Sequence, residues 1–313
     1  MKSPLALSLC LFAGGAHAFV GHAPAVLQPR SMLREALSSS LATRTAVALG
    51  ADRRPSRSLV TRMGWGDDVV FSKAKLVETA KVAKDLYTLT IDAGDLAKEY
   101  KVPGQYVQIR VGPGAKANFF AIASPPDASS SGALEFLIKE NDSTKPLVSI
   151  KAGGSVEMSA VMGKGFPIVE NFSGYKYDFP VQNVVLSATG TGIAPLRAAI
   201  ESRALELPDE EDDGVFGRTC KLYWGCQDEE SMPWKDRMEE WDKCGVEVVP
   251  VLSRPSASWT GRTGFVQQAI KEDGIRLPRN SGVLVCGHKE MGEEVKEIAL
   301  KLGVLDGRVL TNF

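Results

Sequence analysis

Apolar and polar positions alternate in short runs between residues 70 and 163: AKLVETA at 74–80, DLYTLTI at 85–91, GQYVQIRV at 104–111, FFAIAS at 119–124, ALEFLIKE at 133–140 and SVEMSAVMG at 155–163. A period of two within each run, with turn residues rather than long helical stretches between them, predicts six short strands that close into a small antiparallel β-barrel. From 181 the rhythm changes. The runs VQNVVLSA (181–188), TCKLYWG (219–225), VEVVPVLS (246–253), SGVLVCG (281–287) and RVLTNF (308–313) alternate with helical patterns near 193–204, 231–243, 264–273 and 289–302. Such alternation makes βαβ units, so the second half is expected to be an α/β domain, doubly wound on a parallel sheet. Turn residues and aromatics at 171–180 separate the two rhythms, and we assign the barrel domain to 64–176 and the α/β domain to 177–313. A serine run at 129–131 and an acidic stretch at 208–214 read as solvated loops.

The first 63 residues follow neither rhythm. Lys2 precedes an apolar run at 5–13 that is too short to span a bilayer, and Ala16-His17-Ala18 has the small-x-small form that a signal peptidase cuts. From 19 to 63, seven arginines (30, 34, 44, 53, 54, 57 and 62) stand against only Glu35 and Asp52, among many Ser, Ala and Leu. This composition predicts a signal peptide at 1–18 followed by a plastid transit peptide at 19–63, a bipartite leader like those of algae whose plastids lie inside extra membranes. A secreted protein with a basic pro-segment is the other reading of the same composition.

Eight of the 37 basic and two of the 38 acidic residues lie in this leader, so the chain that follows is acidic by about seven charges. A phosphate-neutralising basic surface is therefore not expected, which argues against a nucleic-acid partner and against docking on anionic membranes. Cys10 belongs to the leader. The remaining Cys220, Cys226, Cys244 and Cys286 have neither the density of a disulfide scaffold nor CxxC spacing, so free thiols and no metal are expected.

Three stretches carry candidate chemistry. GTGIAP at 190–195 follows the first strand of the second domain and opens a helix; Gly190 and Gly192 let the backbone approach a pyrophosphate, and the helix N-terminus offers free N–H groups to it. Glycines at such a turn also serve tight packing alone. VLVCGHKEM at 283–291 brings a second strand end, with Cys286 and Gly287, to the same sheet edge, and sets Met291 at the start of the next helix; parallel strands place their C-terminal ends along one crevice, where ligands bind. VVPVLSRPSASWTGRTGFVQ at 248–267 sets Ser253 and Arg254 just past a strand, with Arg262 close behind. A hydroxyl and two guanidiniums suit the 2′-phosphate of NADPH, although both arginines also read as ordinary exposed charges.

GTGIAP, YWG at 223–225, SRP at 253–255, GRTGFVQ at 261–267 and Cys286-Gly287 with Met291 follow in the order of the ferredoxin-NADP reductase superfamily, which the chain resembles over roughly 68–313. FFAIASPP, VMGKGF, VVPVLS and the terminal NF are similar to the plastid fruit-protein-type FAD/NAD(P)-binding oxidoreductases of plants. The resemblance implies FAD on the barrel and NADP, with NAD as the alternative, on the α/β domain. It implies that Cys286 lies by the nicotinamide with Thr191 beside it, that the terminal Phe313 lies near the flavin and nicotinamide rings, and that Pro195 belongs to the dinucleotide-binding GTGIAP turn. It also implies that Phe120, Ala121, Ile122, Ser124 and Thr144 contact the flavin cofactor. Outside the resemblance, Cys286 reads as a small buried thiol, Thr191 as a turn hydroxyl, Phe313 and Phe120 as core aromatics, and Thr144 as a turn cap.

The pattern departs from the family at the flavin strand. Where the family has Arg-x-Tyr-Ser, this chain has Asn118-Phe119-Phe120-Ala121, and Asn141 replaces the glycine three residues before Thr144. Phe120 keeps a stacking face, but Asn118 cannot make a charged bidentate bond to a phosphate, a loss of about 1.5–3 kcal/mol. FAD is therefore expected to bind more weakly than in relatives with the full strand. The function expected is a flavin-dependent NAD(P)H oxidoreductase that passes hydride from NAD(P)H to FAD and electrons to an acceptor the sequence does not name. The alternative is an NAD(P)H-binding regulatory or interaction module. The acidity after the leader argues against ferredoxin, itself acidic, as the acceptor. His288, beside the motif rather than in it, is expected to be a solvated loop residue without a role.

Overall fold

The computed structural model describes residues 69–174, 176–208 and 217–312. The leader, most of the acidic stretch and Phe313 lie outside the described residues. The six expected barrel strands form as β1 (Phe71–Ala83), β2 (Leu86–Asp92), β3 (Tyr106–Arg110), β4 (Asn118–Ala121), β5 (Ala133–Lys139) and β6 (Ser155–Ser159), in the order β4-β3-β6-β1-β2-β5, with every pair antiparallel. β1 serves two partners: residues 71–75 pair with β6 and 75–83 with β2, and register shifts along the second pairing bend it. The period of two sends Leu76, Leu89, Ile91, Val107, Ile109, Phe136, Ile138, Val156 and Met158 into one interior. Just beyond β4, a bridge between Ile122 and Phe136 and a bond from the Ala123 N–H to the Glu135 carbonyl at 2.8 Å close the barrel onto β5.

Among the described residues, β4 itself pairs only with β3. Alternate N–H and C=O groups of an antiparallel strand point to opposite sides, so half of those at 118–121 face an open seam. A short helix, α1 (Lys145–Val148), follows β5, and a second, α2 (Ile168–Phe172), begins the passage between domains. The serine run ends a 3-10 turn, Pro126–Ser131, with Ser129 buried and Ser130 and Ser131 exposed.

The second domain contains β7 (Asn183–Thr189), α3 (Ile193–Glu201), β8 (Thr219–Cys226), α4 (Arg237–Lys243), β9 (Val246–Leu252), a short β10 (Arg262–Thr263), α5 (Val266–Asp273), β11 (Ser281–Cys286), α6 (Lys289–Leu302) and β12 (Val309–Thr311). Its strands are parallel in the order β10-β9-β8-β7-β11-β12. The chain winds outward from β7 in one direction and then returns to its other side with β11, so the sheet reverses between these two strands. β8 shows the layering: Leu222 and Trp224 pack with Leu196, Ile200 and Trp241 on one face, and Tyr223 packs with Val266, Ile270, Val295 and Ala299 on the other.

The first of these cores does not stop at the domain boundary. Leu86, Ala123, Leu137 and Phe166 are buried in the same cluster as α3 and β7. Beside it, Arg197 of α3, 3% exposed, lies 2.7 Å from a Glu135 carboxylate oxygen of β5 and donates from Nε to Glu201 at 3.0 Å. The Glu135 contact is one of charge rather than an aligned hydrogen bond. The Arg197 guanidinium stacks 4.6 Å from the centre of the Trp234 ring, and Trp234 Nε1 donates to Thr88 Oγ1 of β2 at 3.1 Å. Trp234 has φ 52°, a conformation that costs a β-carbon-bearing residue about 1–2 kcal/mol, and it delays α4 to Arg237, six residues later than the helical pattern suggests.

Two buried arginines hold the passage between the domains. Arg218 donates to the carbonyls of Val181 at 3.0 Å and Leu205 at 3.2 Å. Arg308, fully buried between the Tyr177 and Phe179 rings, donates to the carbonyls of Arg279 and Phe179. Among the described residues, no helix is long and apolar enough to cross a membrane and no group of three His, Cys, Asp or Glu side chains is placed to hold a metal.

Candidate dinucleotide and flavin site

A cavity of about 510 Å³ opens at the reversal between β7 and β11. Thr189 and Gly190 at the end of β7, Gly225 to Gln227 at the end of β8, Ser253 and Arg254 past β9, and His288 and Met291 past β11 form its sheet-side wall. Asp85, Leu86 and Lys139, from the barrel ends of β2 and β5, form the opposite wall. Phe265, Val266 and Gln267 at the start of α5 complete it.

The glycines divide into two kinds. Gly190 adopts φ 55°, and a β-carbon on it would meet nothing closer than the His288 ring at 4.0 Å, so this turn keeps its backbone open to a ligand. Gly192 and Gly287 are packing glycines: a β-carbon would stand 2.2 Å from the Cys286 carbonyl oxygen and 2.1 Å from Thr189 Oγ1 respectively. Thr191 is exposed at the turn, and Pro195 is buried inside α3 rather than in the cavity wall. Met291 lines the cavity and its sulfur accepts from Ser187 Oγ at 3.4 Å.

Arg254 is exposed and borders the cavity with Ser253. Arg262 is engaged elsewhere. Its guanidinium runs along α5 to the carboxylates of Asp273 and Glu272, and it is absent from the cavity wall. Burial pushes the Cys286 thiol up to about 12, although hydrogen bonds from Asn312 and the Gly287 backbone oppose the shift. At neutral pH it is a neutral thiol, unsuited to act as a base or nucleophile. His288, expected to be a solvated loop residue without a role, is exposed; its backbone N–H and ring Nδ1 both contact Thr189 Oγ1, and it stands in the cavity wall. Lys139 and Asp85 were also missed, because only the closing of the barrel against the sheet brings them there.

On the barrel side, two hydroxyls expected at the flavin are used internally. Ser124 Oγ accepts from the Glu135 N–H at 3.1 Å, and Thr144 Oγ1 donates to the Lys139 carbonyl at 2.6 Å while accepting from the Asn141 N–H at 2.9 Å. Asn141 Oδ1 caps the same turn by accepting from the Ser143 and Thr144 N–H groups. Ile122 is fully buried in the barrel interior. Phe120, opposite Val107, is half-buried against the barrel core, and Ala121 is half-buried opposite Tyr106. Asn118 Oδ1 accepts from Ser143 Oγ at 3.4 Å, which brings the amide beside the Asn141–Thr144 turn. The free edge of β4, the Phe120 ring and this cluster of small polar groups together fit a flavin nucleotide along the open seam, with neutral groups in place of a guanidinium at its phosphates.

Residues 186–297 match the family model for the oxidoreductase NAD-binding domain. The chain is 34% identical over 241 residues to fruit protein pKIWI502 of Actinidia deliciosa, covering 73% of this chain and 72% of that protein. It is 27% identical to the NADPH nitrate reductase of Emericella nidulans over 81% of its own length, but spans only 30% of that larger protein. Among solved structures, the cytochrome P450 reductase of Amycolatopsis matches with a TM-score of 0.62 at 22% identity, over 78% of this chain and 70% of the other. A ferredoxin-NADP reductase from Neisseria gonorrhoeae, solved with FAD and NADP, matches with a TM-score of 0.62 at 19% identity, over 77% and 97%. The chain belongs to the ferredoxin-NADP reductase superfamily, whose cofactors are FAD and NAD(P). Within it, the Actinidia fruit protein is a relative.

Proposed function

We propose that this protein is an NAD(P)H oxidoreductase that uses FAD and prefers NADPH. The observation that carries the reading is the cavity at the sheet reversal, walled on one side by Gly190 and His288 and on the other by barrel residues. The open Gly190 turn and the start of α6 would receive the pyrophosphate, and Ser253 with Arg254 the 2′-phosphate of NADPH. The free β4 edge would hydrogen-bond the flavin ring, with Phe120 stacked on it. A bound flavin supplies a two-electron acceptor for hydride and the means to pass electrons on singly. These residues would orient both nucleotides toward each other, and the shared core of the two domains fixes the walls of the cavity relative to one another.

The test is reconstitution of the purified chain with FAD, followed by NADPH under anaerobic conditions. The reading expects the flavin absorption to bleach; an FAD-loaded chain whose flavin stays oxidised would overturn it. A second reading, a nucleotide-binding module without bound flavin, draws on the internal use of the Ser124 and Thr144 hydroxyls. Failure of FAD to bind, with retained dinucleotide binding, would favour it. The electron acceptor is an open class, a small molecule or a protein.

We further propose plastid targeting by the leader at 1–63, supported by its arginine-rich, acid-poor composition behind a signal-like segment. Mass spectrometry of the native protein is expected to give an N-terminus near Gly64; an intact Met1 in a cytosolic fraction would refute the targeting.

A further inference from the structure

α5 and α6 lie side by side on one face of the parallel sheet, where Val266, Ala269 and Ile270 of the one and Met291, Val295 and Ala299 of the other enter the same core. Between them, on the side away from that core, runs a second groove of about 610 Å³. Phe265, the N-cap of α5, lines it and is 62% exposed, and Ile298 and Leu302 of α6 line it further along. Together they form an apolar strip of the kind that marks a contact surface. The groove is also balanced in charge, with Lys271 and Lys301 set against Glu294 and Glu297. Lys301 and Glu297 pair within α6, but among the described residues Lys271 and Glu294 have no ion-pair partner. The unpaired cation therefore stands on α5 and the unpaired carboxylate on α6.

Both helices begin at the same edge of the sheet, since Phe265, Val266 and Gln267 border the cofactor cavity together with His288 and Met291. Lys271 is the sixth residue of α5 and Glu294 the sixth of α6, which puts them at one level on opposite walls of the groove. At about 1.5 Å per residue, Phe265 stands roughly 9 Å before that level, and Ile298 and Leu302 roughly 6 and 12 Å beyond it. A two-fold axis normal to the groove at this level exchanges α5 with α6 and reverses their direction. It sets each Lys271 against the partner's Glu294, and each Phe265 between the partner's Ile298 and Leu302.

We propose that the groove between α5 and α6 is the interface of a symmetric dimer of this chain. A partner of a single strong charge would oppose one of the two unpaired groups with a like charge, whereas the chain's own image matches both. The contact also reaches the cofactor cavity, because Phe265 lines the groove and the cavity alike. Covering its ring holds the start of α5, and with it Val266 and Gln267 of the cavity wall, in place.

The experiment is light scattering of the full chain over a dilution series, which is expected to give twice the single-chain mass, falling to the single mass on dilution. Lys271→Glu and Glu294→Lys each place two like-charged pairs across the axis and should raise the dimer dissociation constant about tenfold or more. Both side chains are exposed, so neither change disturbs the core. The variant carrying both changes restores opposite charges at each pair and should return the dissociation constant to within about threefold of the wild type, the mark of direct coupling between the two positions. A single-chain mass for the wild type at every concentration overturns the proposal. So does a dimer indifferent to the single reversals, or a double variant that associates no more tightly than the single ones.

Discussion

Arg254 and Arg262 stand eight positions apart, and composition offers both to the 2′-phosphate of NADPH with equal force. The fold separates them through a residue eleven positions beyond Arg262. Asp273, at the end of α5, accepts from the Tyr223 hydroxyl at 2.7 Å, pairs with Lys221 at 3.2 Å and also takes the Arg262 guanidinium. Burial works against the Asp273 carboxylate, but these hydrogen bonds outweigh it and hold the group below its ordinary range, so the pair with Arg262 persists at neutral pH. Among the described residues Arg254 has no such partner, and it borders the cavity. Arg254→Ala is expected to weaken NADPH binding about tenfold or more, the worth of one charged hydrogen bond, and to leave NADH within twofold. Arg262→Ala should leave the preference unchanged. Dissociation constants for both nucleotides on both variants check this, and an equal loss of NADH and NADPH affinity in Arg254→Ala would refute the assignment. The same contrast explains what was legible at single residues. Gly190 and Met291 follow from local strand-to-helix pattern, whereas the burial of Pro195, the internal bonds of Ser124 and Thr144, and the Thr189–His288 contact depend on neighbours far away in sequence.

At the level of elements, the period of two located all six barrel strands and the alternation located β7, β8, β9, β11 and β12, because hydrophobic spacing is a local signal. α6 covers Lys289–Leu302, as its pattern predicts, and ends at Gly303 in the left-handed conformation. Two features were not legible. β10 is only two residues long and exists because it pairs with β9, and the start of α4 is set by the positive φ of Trp234, held by contacts to β2 and α3. The most consequential element is β4, whose free edge is a product of barrel topology. As a flavin strand it departs from the expected Arg-x-Tyr-Ser pattern at Asn118, an amide in place of a guanidinium, and at Ala121, which lacks a hydroxyl. Asn118→Arg is expected to tighten FAD by about 1.5 kcal/mol or more, provided its guanidinium reaches the phosphates from a strand already beside Ser143. Calorimetric titration of FAD into both proteins measures it. Tight FAD in the unaltered protein would show that other groups have taken over the phosphate contact.

Across the whole molecule, the two rhythms of the sequence suggest two domains, but the packing makes them one thermodynamic unit. Domain interfaces within a chain are ordinarily modest and permit relative motion. Here the barrel residues Leu86, Ala123, Leu137 and Phe166 are buried in the cluster that also contains α3, β7 and β8, so separating the domains would expose part of both cores. Arg197 adds an electrostatic constraint at the same place, between Glu135 of the barrel and Glu201 of its own helix. Removing the cation leaves Glu135 without its charge partner at the interface, while Glu201 keeps Arg237 at 2.9 Å and the Trp241 Nε1 donor at 3.2 Å. Breaking a buried pair in this way costs about 3 kcal/mol, and at roughly 2–4 °C per kcal/mol for a unit of this size, Arg197→Met should lower Tm by about 6–12 °C. Glu135→Gln should cost less, because Glu201 still pairs with Arg197 and Glu135 is partly exposed. Calorimetric unfolding of the wild type is expected to show one transition, with calorimetric and van't Hoff enthalpies in agreement. In Arg197→Met the transition should move down and remain single if apolar burial is the main tie, and split in two if the ion pair is. Two resolved transitions in the wild type would mean that the shared core does not couple the domains, and the fixed approach of the two nucleotide sites would then need another cause.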